Sequence, residues 1–303
     1  MINANRLYDL SVKIYLYTAV LTLCGWVLHG QSLAAGKADV VKTFAHGHIN
    51  WSAGSLISSG VATPPAKKET KTPQAFEEAL AQARALALQH MRDIVLETRV
   101  DSLNRVGSIA AANDIMMAKV ENLAKSAKAV KQEYLSDGTV EVTMQMPMYG
   151  GFSQLVLPEE IKQIEPIKTV SNGSGSSETV LQESRTDIEN ETYTGIVVDA
   201  RGIQFSPAMA PVIVDEKARE VYGSAFVSRE FAVQQGMAGY SRDMQTAAQE
   251  PRVSGNPLMI KGLGTVVNRP STIIISNADA SKIKSASEHI SFLKRCRVMI
   301  IVD

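Results

Sequence analysis

The residues in this chain best placed to do chemistry are two acidic turns. Asp199-Ala200-Arg201-Gly202 directly follows the apolar run Ile196-Val197-Val198, and Asp215-Glu216 directly follows Val212-Ile213-Val214. Catalytic side chains often sit at strand ends, and two carboxylate sites suit general acid–base work or a divalent cation. Turns also favour aspartate and glycine for purely conformational reasons. No histidine lies close to either turn in the chain, and the only one after residue 193 is His289. The turn reading is preferred.

Other candidates resolve the same way. His46 and His48 flank Gly47 without a carboxylate within a few residues, and alternate histidines on a strand read more simply as exposed polar positions than as metal ligands. Gly262-Leu263-Gly264-Thr265 is glycine-rich, but it lacks the further glycine of a dinucleotide fingerprint and the Gly-Lys-Ser/Thr of a P-loop. There is no Gly-x-Ser-x-Gly nucleophile elbow. Cys296 stands between Arg295 and Arg297, which can depress a thiol pKa, but the apolar strand after it favours a buried structural cysteine. Arg229 to Tyr240 mixes charge, aromatic residues, glycine and Met237, a composition that suits either a partner surface or an irregular cover over a core. No catalytic, cofactor-binding or metal-binding residue is assigned. The expectation is a scaffold that uses no cofactor, rather than an enzyme.

The elements that position these residues start with Thr72 to Val100. Phe76, Leu80, Ala83, Ala87, Met91 and Ile94 recur at helical spacing and predict one apolar stripe. Thr72 suits the N-cap and Pro73 the first helical position. Before this helix, Phe44 to Gly60 reads as a strand with Ile49, Trp51, Ala53, Ser55 and Ile57 on one face. After it, Ile109, Ala112, Met116, Val120, Leu123 and Ala127 predict a second helix, with Met116 and Met117 read as core filling. Ser136-Asp137-Gly138 then turns a hairpin whose outgoing strand alternates Val140, Val142, Met144 and Met146 with polar residues. The predicted fold class is α+β with two small domains. The first is strand-helix-helix-strand-strand, its helices packed on one face of an antiparallel sheet. The second runs as short strands from Tyr193, a helix over 278–293 and a closing strand over 298–302, making a second α+β or α/β unit.

The N-terminus predicts an address. Arg6 and Lys13 precede an apolar run over 14–28, and Ser32, Ala34 and Ala35 follow, as in a cleaved secretory signal. The alternatives are an uncleaved N-terminal anchor and lipoprotein processing at Cys24, the latter disfavoured because Leu23 is not a small residue. The organisation expected is therefore a signal peptide over 1–35, an α+β domain over 38–157, a flexible Gly/Ser-rich linker over 158–192 and a second domain over 193–303. Lys plus Arg and Asp plus Glu both number 31, and no basic block stands out, so nucleic acid is not an expected partner.

Trp51, the Ala-rich helix from Ala79 to Leu96 and the hairpin Tyr134…Asp137-Gly138-Thr139-Val140 carry a resemblance. Residues 47–147 resemble a bacterial envelope lipoprotein family that includes a twenty-kilodalton outer-membrane lipoprotein and the flagellar proteins FlgP and FlgT. The resemblance implies a small domain that assembles with copies of itself or with motor components at the outer membrane, and it carries over no catalytic residue. The functional expectation is a non-enzymatic structural or assembly protein of the periplasm or outer-membrane periphery, of a flagellar or other envelope machine. It would self-associate or bind envelope proteins, and outer-membrane association fits the same reading. The alternative is a periplasmic binding module for a small ligand, cation or cell-wall component.

Overall fold

The computed structural model describes residues 39–64, 73–161, 193–286 and 291–303. The signal sequence, the Thr72 cap, His289 and residues 162–192 of the expected linker lie outside the described residues.

The first domain is built on a five-stranded antiparallel sheet in the order β1-β2-β3-β5-β4. Its strands are β1 (Val41–Phe44), β2 (Gly47–Asn50), β3 (Ser55–Ala62), β4 (Lys128–Tyr134) and β5 (Val140–Pro147). One strand was expected before the long helix, and there are three. A turn over Trp51–Gly54 breaks the alternation, so burial passes from Ile49 and Trp51 to Leu56, Ser58, Gly60 and Ala62. The two stretches look like one strand because the turn carries the period across without an obvious stop. The Asp137-Gly138 turn forms as expected. Gly138 sits at φ +90°, and the Asp137 carboxylate accepts the Thr139 N–H at 2.8 Å.

Helix α1 (Pro73–Glu97) covers the face of the sheet that carries Val140, Val142, Met144 and Met146. It buries Ala79, Ala83, Ala87, Met91, Ile94 and Val95, while Phe76 and Leu80 are only half buried. The stripe therefore begins one residue earlier than Leu80. Small residues let the helix lie directly on the strand beneath it. A Cβ on Gly60 would overlap the Ala83 carbonyl oxygen and the Ala87 nitrogen, and Ser58 Oγ donates to the Ala87 carbonyl at 2.7 Å. The predicted second helix is two helices, α2 (Val106–Ala111) and α3 (Asp114–Lys125). Asn113 causes the break: its side chain accepts the N–H groups of Ile115 and Met116 at 2.9 and 3.1 Å, so a new helix starts there. Helix α4 (Gly151–Val156) closes the domain.

The second domain carries two four-stranded sheets. One is fully parallel, in the order β10-β6-β13-β9, from β6 (Gly195–Asp199), β9 (Gly239–Ser241), β10 (Pro257–Lys261) and β13 (Val298–Ile301). Its central strands β6 and β13 are continuous apolar runs because both faces are covered. The other follows the order β11-β12-β7-β8, from β7 (Val212–Asp215), β8 (Glu220–Tyr222), β11 (Gly264–Val266) and β12 (Arg269–Ile275). Helices α5 (Arg229–Gln235), α6 (Met244–Gln249), α7 (Asn277–Ala286) and α8 (Ser291–Lys294) complete it. The molecule is thus α+β in two domains. Residues from Asp39 to Asp303 pack as one unit, and one hydrophobic cluster runs from Ile49 and Met91 to Ile213 and Ile300.

Candidate functional site

The two acidic turns are not brought together as a catalytic pair. Asp199 ends β6 in the parallel sheet and Asp215 ends β7 in the mixed one, and each is consumed locally. Asp199 makes a two-point pair with Arg201, at 2.8 Å to Nε and 2.7 Å to an amino nitrogen, and this bonding holds its carboxyl below the usual range. Asp215 is 1% exposed and binds its own turn, accepting the N–H groups of Lys217 and Arg219 at 3.0 and 2.9 Å and Arg219 Nε at 2.7 Å. Burial opposes ionisation there, but the Arg219 and Lys217 hydrogen bonds outweigh it and leave the pKa depressed. Both carboxylates pin turns. Among the described residues, no group of three or more His, Cys, Asp or Glu side chains is placed to hold a metal ion.

Cys296 is buried, and loss of solvent pushes its thiol up to about 11. The cation that reaches it is Arg252, whose amino group donates to the Cys296 and Gly236 carbonyls at 3.0 Å. His46 is exposed, as expected, but stacks on His90 of α1 with ring centroids 4.0 Å apart. Met116 and Met117 are half buried rather than core.

Arg229 to Tyr240, expected to be either a partner surface or a core cover, contacts the chain's own first domain. Tyr240 meets Trp51 edge-to-face, with centroids 5.7 Å apart and planes at 73°. Its hydroxyl donates to the Ala208 carbonyl at 2.6 Å and accepts the Ala208 N–H at 3.1 Å, while its own carbonyl accepts Ser52 Oγ at 2.8 Å. Gly150 N–H donates to the Val233 carbonyl at 2.8 Å, and Arg229 grips the Pro158 and Gln154 carbonyls at 2.8 and 2.9 Å. Further along the contact, Ala210 N–H bonds the Val100 carbonyl at 2.7 Å and Met209 N–H the Arg99 carbonyl at 3.1 Å. Backbone-to-backbone bonds of this kind fix a relative position as firmly as a strand pairing does.

This contact leaves two recesses. A cleft of about 1010 Å³ opens between the Asp101–Asn104 turn, α3, the end of α4 and the mixed sheet. Its lining includes the acidic residues Asp101, Glu159, Glu160 and Glu220 together with Arg269, Met116 and Leu155. Burial raises the Glu220 pKa. A smaller pocket of about 280 Å³ lies beside Trp51 and Phe205 and carries Lys42, Arg99 and Arg242. The two recesses do not stand out in the sequence, because each draws on segments more than a hundred residues apart. The one local hint is Trp51, a large aromatic next to a turn.

Fold and site together define a two-domain α+β protein whose domains are joined along a bonded contact. Residues 42–155 match the family model for the N-terminal domain of Treponema pallidum Tp0624, and residues 195–303 match the model for the second domain of that protein. The two matches fall in the same order as the domains and on either side of the Trp51–Tyr240 contact. No curated protein matches the chain.

Proposed function

We propose that this protein is a non-enzymatic structural or assembly component of a bacterial envelope, exported and held at the periplasm or outer-membrane periphery. The observation that carries the reading is the bonded contact around Trp51 and Tyr240, which makes two domains into one body suited to presenting surfaces at a fixed spacing. The use of Asp199 and Asp215 as turn pins points the same way. The N-terminal signal-like segment supports export, and no described helix is long and apolar enough to cross a membrane. At the sheet edge, β4 exposes all seven of its residues and carries Lys128, Lys131 and Glu133. Such charges resist open-ended pairing between copies, so assembly is finite or directed to other envelope proteins. Cell fractionation with an antibody against the chain tests the address. Recovery in the periplasmic or outer-membrane fraction supports it, and recovery in the cytoplasm contradicts it.

The cleft favours a second reading, a periplasmic binding module. Its acidic and part-apolar lining suits a cation or a cell-wall fragment bearing an amine. Titration calorimetry with calcium and with soluble cell-wall fragments tests it; an absence of heat from both removes it.

A further inference from the structure

The smaller pocket has a charge balance that the fold itself does not use. Lys42 comes from β1, Arg99 from the segment after α1 and Arg242 from the segment after β9, so both domains contribute. Among the described residues, none of the three has a carboxylate within ion-pair distance. Lys42 lies over the Phe44 ring at 5.0 Å. Among the described residues, the Arg99 side chain donates to the Ser102 carbonyl at 3.4 Å and the Arg242 side chain to the Asp39 carbonyl at 3.2 Å. The one acid in the lining, Asp303, accepts the Gly202 N–H at 3.0 Å and keeps its charge, so three cations face one side-chain carboxylate.

The charge of Arg99 also bears on Lys42. Partial loss of solvent, and then the charge of nearby Arg105, hold both Lys42 and Arg99 below their usual values, with Glu97 near Lys42 and Asp101 near Arg99 offsetting this only in part. Arg105 is itself paired with Glu97 at 2.8 Å, whereas Arg99 and Lys42 make no ion pair among the described residues. Two guanidinium-bearing residues and one ammonium-bearing residue thus line one recess, and such groups bind planar and tetrahedral oxyanions. Apart from Ser206 and Asp303, the rest of the lining is apolar or aromatic, with Ile49, Trp51, Phe205 and Pro207 among it. At about 280 Å³ the pocket is near the lower end of ligand sites, which run from roughly 300 Å³ upward.

We propose that this pocket is an oxyanion-binding site between the domains, taking a carboxylate or phosphate carried on a small, flat, apolar body. The acid group sits against Arg99, Lys42 and Arg242, and the body lies along Trp51 and Phe205. Because both domains line the pocket, the bound ligand bridges them.

Titration calorimetry on the full chain at low ionic strength, with inorganic phosphate, phenyl phosphate and benzoate as probes, tests this. The expected result is one-site saturable binding of phenyl phosphate or benzoate, tighter than inorganic phosphate, with the preferred probe identifying the acid group. Lys42→Gln, at an exposed position, weakens binding about tenfold or more, as loss of a charged hydrogen-bond partner does, and so does Arg99→Gln. Lys128→Gln, on the outer strand, leaves it unchanged. The proposal is overturned by an absence of saturable binding for all three probes, or by equal affinity in wild type and Lys42→Gln. It is also overturned if inorganic phosphate binds as tightly as phenyl phosphate and benzoate.

Discussion

Trp51 and Tyr240, 189 positions apart, touch edge-to-face with ring centroids 5.7 Å apart. Each closes a different domain: Trp51 leaves β2 of the first sheet, and Tyr240 lies within β9 of the parallel sheet. Phe205 also stacks on Tyr240, with ring centroids 6.3 Å apart. This aromatic contact is the clearest link between the two halves of the chain. Trp51→Ala is expected to cost roughly 3–5 kcal/mol, from lost burial and the void left behind. Tyr240→Phe keeps the ring and strands the Ala208 carbonyl and N–H, for about 1–3 kcal/mol. Urea unfolding of both variants measures the two costs, and an order with Tyr240→Phe the worse would contradict the packing described.

The helix α1 stripe gives a paired test. Met91 is fully buried and Leu80 is half exposed. Met91→Ala is expected to lose about 2–5 kcal/mol, and Leu80→Ala clearly less. Equal losses in chemical denaturation would mean the helix is rotated from its described face.

Gly60 sets how closely α1 approaches the sheet. Gly60→Ala places a methyl group against the Ala83 carbonyl and the Ala87 amide, with backbone on both sides and little room to relax. The expected cost is about 1–3 kcal/mol, comparable to other overpacked cores. A melting temperature that rises in this variant would show that the helix can lift.

Asp215 makes stability depend on pH in one direction. Its folded pKa lies below that of the unfolded chain, so its contribution is fully present above the unfolded value. It is lost as pH falls below about 4 and through the folded value. The melting-temperature gap between wild type and Asp215→Asn is therefore largest near neutral pH and closes on acidification. A gap that widens in acid would contradict the Arg219 pairing.

How much of this was legible in the sequence follows from how local each signal is. The α1 period and the Asp137-Gly138 turn are written in consecutive residues, and both form where expected. The turn after Trp51 was hidden because residues on both sides keep an alternating pattern, and the break at Asn113 because a single cap interrupts a continuous period. Lys42, Arg99 and Arg242 were invisible as a set: each is an ordinary surface cation until the fold brings β1, the end of α1 and the end of β9 to one recess. The strand-end acids Asp199 and Asp215 drew attention for their position, but each has its own arginine.

The central claim is that this protein works by association, as one two-domain body. Size-exclusion chromatography with multi-angle light scattering on the chain freed of residues 1–35, over a range of concentrations, tests it most directly. The account predicts a mass above that of one chain, rising with concentration to a defined assembly. A strict monomer at the highest concentration reached would contradict self-association.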